Sequence, residues 1–214
     1  MNRDYSPLDR ALMRLHRLVE AATPPAATGA PAANPAGAVA DSVSEDADRR
    51  HAAGLMRVNH AGEVAAQALY RGQALVARKS ETRKHLLAAA DDEQAHLQWC
   101  EERLKELGET PSKLDPLWYA GSFAIGALAG LAGDRWSLGF VEETEKQVSE
   151  HLRGHLDKLP EGDARSRAIV EAMKKDEEKH GKAASERGAK PLPKPVREAM
   201  RAVARIMTRT AYWL

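Results

Sequence analysis

Along most of this chain the apolar residues recur at alternating steps of three and four, the spacing that gives an α-helix one buried face. The first stripe is Met56, Asn59, Glu63, Ala66, Tyr70, Gln73 and Ala77, and it predicts a helix from near Asp48 to about Arg78. The second is Leu86, Ala89, Glu93, His96, Cys100, Leu104 and Leu107, in a helix that Ser80 would cap and Gly108 would stop. Val141, Val148, Leu152, His155 and Leu159 define a third helix, from about Asp134 to the break at Pro160-Glu161-Gly162. The fourth, capped by Asp163, runs through Ile169 or Val170, Met173, Glu177, His180 and Ala184 until Gly188 and Pro191 end it. In the first two stripes a glutamate stands where a leucine would otherwise belong.

The flanking segments follow other patterns. Within residues 1–20, Leu8, Leu12, Leu15, Leu18 and Val19 oppose Arg10, Arg14 and Arg17, which predicts a short basic amphipathic helix. Residues 21–47 begin with an Ala/Pro/Gly stretch that holds no regular helix and few core-forming side chains, so they read as a linker. The bundle itself is expected over residues 48–190. Inside it, after a connection from Pro111 to Pro116, Leu117 to Gly133 carries no charge and is rich in Gly and Ala. Two readings fit that segment. It is either a crossover whose small residues let helices approach closely, or an apolar surface for lipid or a greasy substrate. Residues 191–214 predict a last amphipathic helix, with Arg197, Arg201, Arg205 and Arg209 four apart. Its apolar side comprises Ala199, Met200, Val203, Ile206, Met207, Tyr212 and Trp213.

Composition adds mostly exclusions. With 29% charged residues and 5% aromatics the chain has a helical profile, and its net charge of +1 gives no reason to expect a nucleic-acid partner. Cys100 is the only cysteine, which rules out an intramolecular disulfide and a thiolate-held zinc or iron–sulfur cluster. Its place on a stripe makes it a small core residue. No Gly-x-Gly-x-x-Gly follows a strand pattern, so no dinucleotide-binding domain is expected. Neither a signal-like apolar region nor a run of about 18–20 apolar residues is found, so the protein is expected to stay in the cytoplasm without spanning a membrane.

The chemistry lies in a repeat. Glu93-Gln94-Ala95-His96 recurs as Glu177-Glu178-Lys179-His180, and residues three apart share a helix face, so each pair aims an oxygen and a nitrogen at one cation. Each is preceded by a helix bearing a lone inward acid: Glu63 in the first case, and Glu142, Glu143 or Glu145 in the second. The stripe chooses among these three. The gap between Val141 and Val148 falls on Glu145, whereas Glu142 and Glu143 are turned away from the seam. The same test selects Glu177 over Glu178. Glu, Glu-x-x-His, Glu, Glu-x-x-His is the ligand set of dinuclear carboxylate four-helix bundles. Four glutamates balance two divalent cations, and carboxylates with imidazoles suit iron or manganese better than copper or zinc. Glu93, Glu145 and Glu177 are candidates to bridge both ions. Tyr70, His60 and His151 are candidates to support the ligands from behind. The expected fold is therefore all-α, a ferritin-like four-helix bundle with an added apolar crossover segment and terminal amphipathic helices.

Arg57-Val58-Asn59-His60-Ala61-Gly62-Glu63, followed by Tyr70-Arg71-Gly72-Gln73, resembles the first-helix motif of the demethoxyubiquinone hydroxylases. The likeness extends through Glu93-Gln94-Ala95-His96, Gly139-Phe140-Val141 with Thr144-Glu145, and Glu177 with His180, over roughly residues 48 to 214. Eukaryotic members of that family often have Asp where this chain has Asn59. The resemblance implies a di-iron monooxygenase with metal ligands Glu63, Glu93, His96, Glu145, Glu177 and His180. It implies two Fe ions, O2 as co-substrate, an external electron donor, and hydroxylation of 2-polyprenyl-3-methyl-6-methoxy-1,4-benzoquinol to the 3-demethylubiquinol precursor. Such an enzyme would sit peripherally on the cytoplasmic face of the bacterial inner membrane, where its polyprenyl quinol substrate dissolves and other ubiquinone-biosynthesis proteins act. The competing readings are another di-iron hydroxylase on the same bundle, or a non-catalytic membrane-surface scaffold that binds quinones or prenyl lipids around a structural metal.

Overall fold

The computed structural model describes residues 33–41 and 43–214, and the short helix expected within residues 1–20 lies outside them. Among the described residues there are six helices and no strand. They are α1 (Asp46–Val76), α2 (Ser80–Glu106), α3 (Asp115–Leu131), α4 (Asp134–Leu156), α5 (Ala164–Glu186) and α6 (Lys194–Ala211).

The helix ends show which local signals prevailed. At α5 the Asp163 carboxylate accepts the Ser166 N–H at 2.9 Å, the bond expected of an N-cap. At α2 the expectation fails, because Lys79 occupies the cap position and Ser80 is already helical. The free amides there are met from another helix. Asp134, at the start of α4, accepts from the backbone N–H groups of Arg78 and Lys79, each at 2.9 Å. Helix α4 stops at Leu156 rather than Leu159, and the next residues form a turn in which the amides of Lys158 and Leu159 both bond the His155 carbonyl.

Helices α1, α2, α4 and α5 form the bundle, with α1 packed on α2 and α4 packed on α5. Its interior is two apolar clusters with a polar belt between them. One cluster holds Ala53, Met56, Cys100, Leu104, Leu152, Ile169 and Met173. The other holds Ala66, Leu69, Tyr70, Leu86, Ala89, Val141 and Ala184. Glu63, Glu93, Glu145 and Glu177 each lie in sequence between a residue of one cluster and a residue of the other, so all four belong to the belt.

Helix α3 lies along the outside of α1, and its small residues explain how closely. A methyl group at Gly126 would overlap the Leu69 carbonyl, and one at Gly72 of α1 would overlap the Phe123 carbonyl. The opposite side of α3 is uncovered, with Leu117, Leu128 and Leu131 exposed. The close-packing reading of this segment therefore holds on the face toward α1, and the other face leaves apolar side chains exposed. No described helix is long and apolar enough to cross a membrane.

Helix α6 is fixed mainly by its C-terminal end. Ala211 is buried against Val58 and Ala61, Tyr212 OH lies 2.7 Å from His51 Nδ1, and Arg57 Nη1 donates to the Tyr212 carbonyl at 2.9 Å. Arg201 turns inward toward Glu143, 3.4 Å away, while Val196, Val203 and Ile206 face outward. The described end of the Ala/Pro stretch is docked on the bundle. Ala36 is fully buried because its small side chain fits the core surface, while Arg165 binds the carbonyls of Ala36 and Val39 at 2.8 and 2.6 Å. The buried Arg103 joins Asp41 of this strap to Asp163 of the α4–α5 turn, at 2.9 Å on each side.

Candidate metal centre

The polar belt gathers the repeat and its partners into two overlapping groups. Glu63, Glu93, His96 and Glu177 form one, and Glu93, Glu145, Glu177 and His180 the other, with candidate ligand atoms within 4.8 Å of one another in each. Glu93 and Glu177 belong to both groups, whereas Glu145 belongs to one. Glu142 does not enter the belt. Glu143 is buried but accepts from Gln147 and faces Arg201.

The two histidines present the same atom to the centre. His96 Nδ1 lies 3.0 Å from Glu93, 3.2 Å from Glu177 and 3.5 Å from Glu63. His180 Nδ1 lies 3.7 Å from both Glu93 and Glu177 and 3.9 Å from Glu145. The Nε2 atoms point the other way, toward Asp176 and Asp92 respectively.

The electrostatics of the belt are those of crowded acids in a dry place. Burial pushes the Glu93 and Glu145 carboxyls well above the usual range, and the charge of Glu177 pushes them further. For Glu177 burial acts in the same direction, but the imidazoles of His180 and His96 beside it outweigh burial and hold its carboxyl low. Burial would lower His96, yet the surrounding carboxylates of Glu177, Glu63 and Glu93 raise it instead. These groups balance one another only in part. No hydrogen bond reaches Glu93 Oε1, Glu145 Oε2, either Glu177 oxygen or His180 Nδ1, although all are buried. An unmet buried polar atom costs roughly 1–3 kcal/mol, so several pointing inward together are a poor structural device and a good cation site. The donor set of carboxylates and imidazoles fits two hard-to-intermediate divalent cations.

Tyr70 joins the centre as well. It is fully buried and its hydroxyl donates to Glu145 Oε1. Burial, with the neighbouring Glu145, holds the phenol well above its ordinary range, so it keeps its proton.

The other two supporting candidates are placed elsewhere. His60 bridges three helices, with Nδ1 3.0 Å from Asp115 at the start of α3 and Nε2 3.3 Å from Glu101 on α2. Burial alone would lower it, but these two carboxylates raise it to about 9. His151 packs against His155, ring centres 3.9 Å apart and planes tilted by 59°. Burial and the charge of Lys158 push His151 down to about 4, so it is a neutral histidine outside both ligand groups. Cys100 packs against Met173, Sγ to Sδ 3.8 Å, with its thiol raised by burial. Sequence reasoning overlooked Asp92 and Asp176, although the available signal was plain: each immediately precedes the glutamate of a Glu-x-x-His unit.

Comparison with known proteins agrees on the family. Residues 50–211 match the family model described as ubiquinone biosynthesis protein COQ7. The chain is 59% identical over 188 residues to the 3-demethoxyubiquinol 3-hydroxylase of Cupriavidus taiwanensis, covering 87% of this chain and 91% of that one. It is 54% identical over 214 residues to the enzyme of the same name from Ralstonia pickettii, covering 99% of each. A third relative of that name, from Xanthomonas euvesicatoria pv. vesicatoria, is 53% identical over 212 residues, or 98% of this chain and 96% of its own. The match spans all six helices of the described fold, and the chain belongs to the COQ7 family as a hydroxylating enzyme of ubiquinone biosynthesis.

Proposed function

We propose that this protein is a di-iron monooxygenase that hydroxylates a ring carbon of 2-polyprenyl-3-methyl-6-methoxy-1,4-benzoquinol, giving the 3-demethylubiquinol precursor. The observation that carries the reading is the belt of unmet carboxylate and imidazole atoms converging from four helices in a chain of this family. Glu63, Glu93, His96 and Glu177 would hold one iron, and Glu93, Glu145, Glu177 and His180 the other. When bound, the two irons supply the activation of O2, with further electrons from an external donor.

The chain's own residues set the conditions for that chemistry. Two apolar clusters above and below the belt keep water from its charged groups. Tyr70 keeps its own proton and donates it to Glu145 Oε1 in a hydrogen bond, which fixes that carboxylate at the edge of the centre. His96 and His180 are each turned to present Nδ1 to the acids, the atom that would bind a cation once the ring is neutral. Six protein ligands for two ions leave coordination positions for small molecules.

The substrate class gives a role to the outer helices. A polyprenyl quinol is dissolved in lipid, so its enzyme works at a membrane surface. The exposed Leu117, Leu128 and Leu131 of α3 and Val196, Val203, Ile206 and Trp213 at α6 provide an apolar surface, with Arg205 and Arg209 beside it for anionic headgroups. Both helices pack on α1, which carries Glu63 and Tyr70. The proposed location is the cytoplasmic face of the cell membrane, bound peripherally, within reach of other ubiquinone-biosynthesis proteins.

Anaerobic loading with ferrous iron, then O2 uptake on adding the reduced demethoxy quinol, tests the reaction. Quinol-dependent uptake with formation of the hydroxylated quinol is expected. A ferrous protein that binds the quinol yet consumes no O2 would leave a binding scaffold. Quinone profiling of a deletion strain should show the demethoxy quinone accumulating.

A further inference from the structure

Just past the C-terminal end of α1, the turn into α2, the turn joining α3 to α4 and the segment leading into α6 border a cleft of about 390 Å³. Its charged lining is Arg78, Lys79, Arg135 and Lys190 against a single acid, Asp134. That acid is already engaged. Its Oδ1 accepts the Arg78 N–H and its Oδ2 the Lys79 N–H, each at 2.9 Å, and the Thr82 hydroxyl donates to Oδ2 at 3.2 Å. Among the described residues none of the four cations forms an ion pair with a carboxylate, whereas Arg57, Arg103 and Arg165 each do.

Three of the four are held by contacts that orient a cation without neutralising it. Arg78 Nη2 donates to the Leu131 carbonyl and Arg135 Nε to the Gly188 carbonyl, both at 3.3 Å. Lys190 Nζ lies 4.2 Å from the centre of the Trp136 ring. The backbone that carries Lys190 is fixed as well. Its N–H donates to the Arg135 carbonyl at 2.9 Å, and its own carbonyl packs so closely on Gly139 that a methyl group there would overlap it. Like charges held around one hollow repel each other, and an anion between them removes that repulsion.

We propose that this cleft is a phosphate-binding site, taking a phosphate monoester or diester. Two guanidinium forks and two ammonium groups match a group with several charged oxygens better than a single carboxylate. A cleft of this size falls among small-ligand sites, so it has room for the group that carries the phosphate. That group belongs either to a phospholipid or to a soluble molecule. Leu131, whose carbonyl holds Arg78, shares an exposed face of α3 with Leu128, so a lipid headgroup bound here would leave its acyl chains along that face. The site goes beyond the reaction proposed above, since none of its lining residues belongs to either ligand group of the belt.

The test uses the full-length chain and two probes: glycerol phosphate, read by calorimetry, and phosphatidylcholine vesicles with or without phosphatidylglycerol, read by flotation. Arg135→Gln combined with Lys190→Gln is compared with Lys105→Gln combined with Lys175→Gln, which removes the same charge from exposed positions elsewhere. The cleft variant should bind about tenfold or more weakly than the control, with melting temperature and iron content unchanged. Should it melt early, Lys79→Gln alone, at an exposed side chain, should still weaken binding severalfold. Cleft-dependent binding of glycerol phosphate would identify a soluble ligand. Cleft-dependent binding seen only with phosphatidylglycerol vesicles would identify a lipid headgroup. Equal losses in the cleft and control variants would reduce the effect to net charge and overturn the proposal. So would a folded cleft variant that binds like wild type, or a wild-type chain that binds neither probe.

Discussion

The inner faces of α1, α2, α4 and α5 and the outer faces of α3 and α6 break the same rule in opposite senses. Inside the bundle, four glutamates occupy positions where a folded chain normally keeps leucine, and several of their oxygens meet no partner. On the outer helices, leucine, valine, isoleucine and tryptophan occupy positions where a folded chain normally keeps charge; Leu128 is 68% exposed and Trp213 79%. Each departure costs stability on its own, and each becomes favourable with an appropriate second component. In the reading proposed above, cations would supply the first and an apolar solvent the second. Helices α3 and α6 both pack on α1, the helix that carries Glu63 and Tyr70.

The largest expected effect separates inward from outward acids. Glu145→Ala and Glu177→Ala should each abolish iron loading and hydroxylation. Glu142→Ala, Glu143→Ala and Glu178→Ala should bind near-normal iron, as read by metal analysis after desalting. A Glu143→Ala chain that loses its iron while Glu145→Ala keeps two per chain would reverse the assignment. Next, cations should stabilise the fold by mass action. Free ferrous ion at a hundredfold excess over its Kd adds about 2.7 kcal/mol, or roughly 5–10 °C in melting temperature for a domain of this size. A chelated sample that melts with the ferrous one would break the comparison on its inner side.

The outer side is tested with lipid. Leu128→Glu combined with Val203→Glu should lower recovery with anionic liposomes several-fold and leave iron content unchanged, since neither side chain reaches the belt. Equal flotation of wild type and variant would assign those exposed residues another role. The smallest effect concerns His60, which ties α1 to α3 and α2. Its folded-state value of about 9 lies above the ordinary 6.5, so its contribution is fully present below pH 6.5 and fades as pH rises through 9. Metal-free wild type should exceed His60→Gln in urea stability by on the order of 2 kcal/mol at pH 6, allowing for the exposed Glu101 partner. The gap should narrow toward pH 9.5. A gap that stays constant with pH would mean that His60 acts by packing alone.

How much of this was legible in the chain depended on whether a residue obeys its own helix. Glu145 could be chosen over Glu142 and Glu143 because a helical period is rigid over two turns, and Val141 and Val148 fix its phase. Glu177 was chosen over Glu178 in the same way. Residues whose role depends on the relative placement of helices were not legible. His60 looked like a neighbour of the ligands, yet it faces Asp115 and Glu101 because α3 folds back along α1. The capping of α2 by Asp134 needed the α3–α4 turn to bring that carboxylate across. The approach of Asp176 to His96 and of Asp92 to His180 depends on α2 and α5 facing each other across the bundle. The docking of Ala36 and Asp41 depends on Arg165 and Arg103, more than sixty residues further along the chain. The Ala/Pro composition gave no hint of it.

The central claim is that this belt activates O2 to hydroxylate the quinol ring. The most direct test is a single turnover of the ferrous full-length chain with reduced demethoxy quinol under oxygen-18 gas, with the product examined by mass spectrometry. One labelled oxygen on the ring is expected, and Glu177→Ala should yield no labelled product. Ring hydroxyl carrying oxygen from unlabelled water, or labelled product formed equally by Glu177→Ala, would contradict the account.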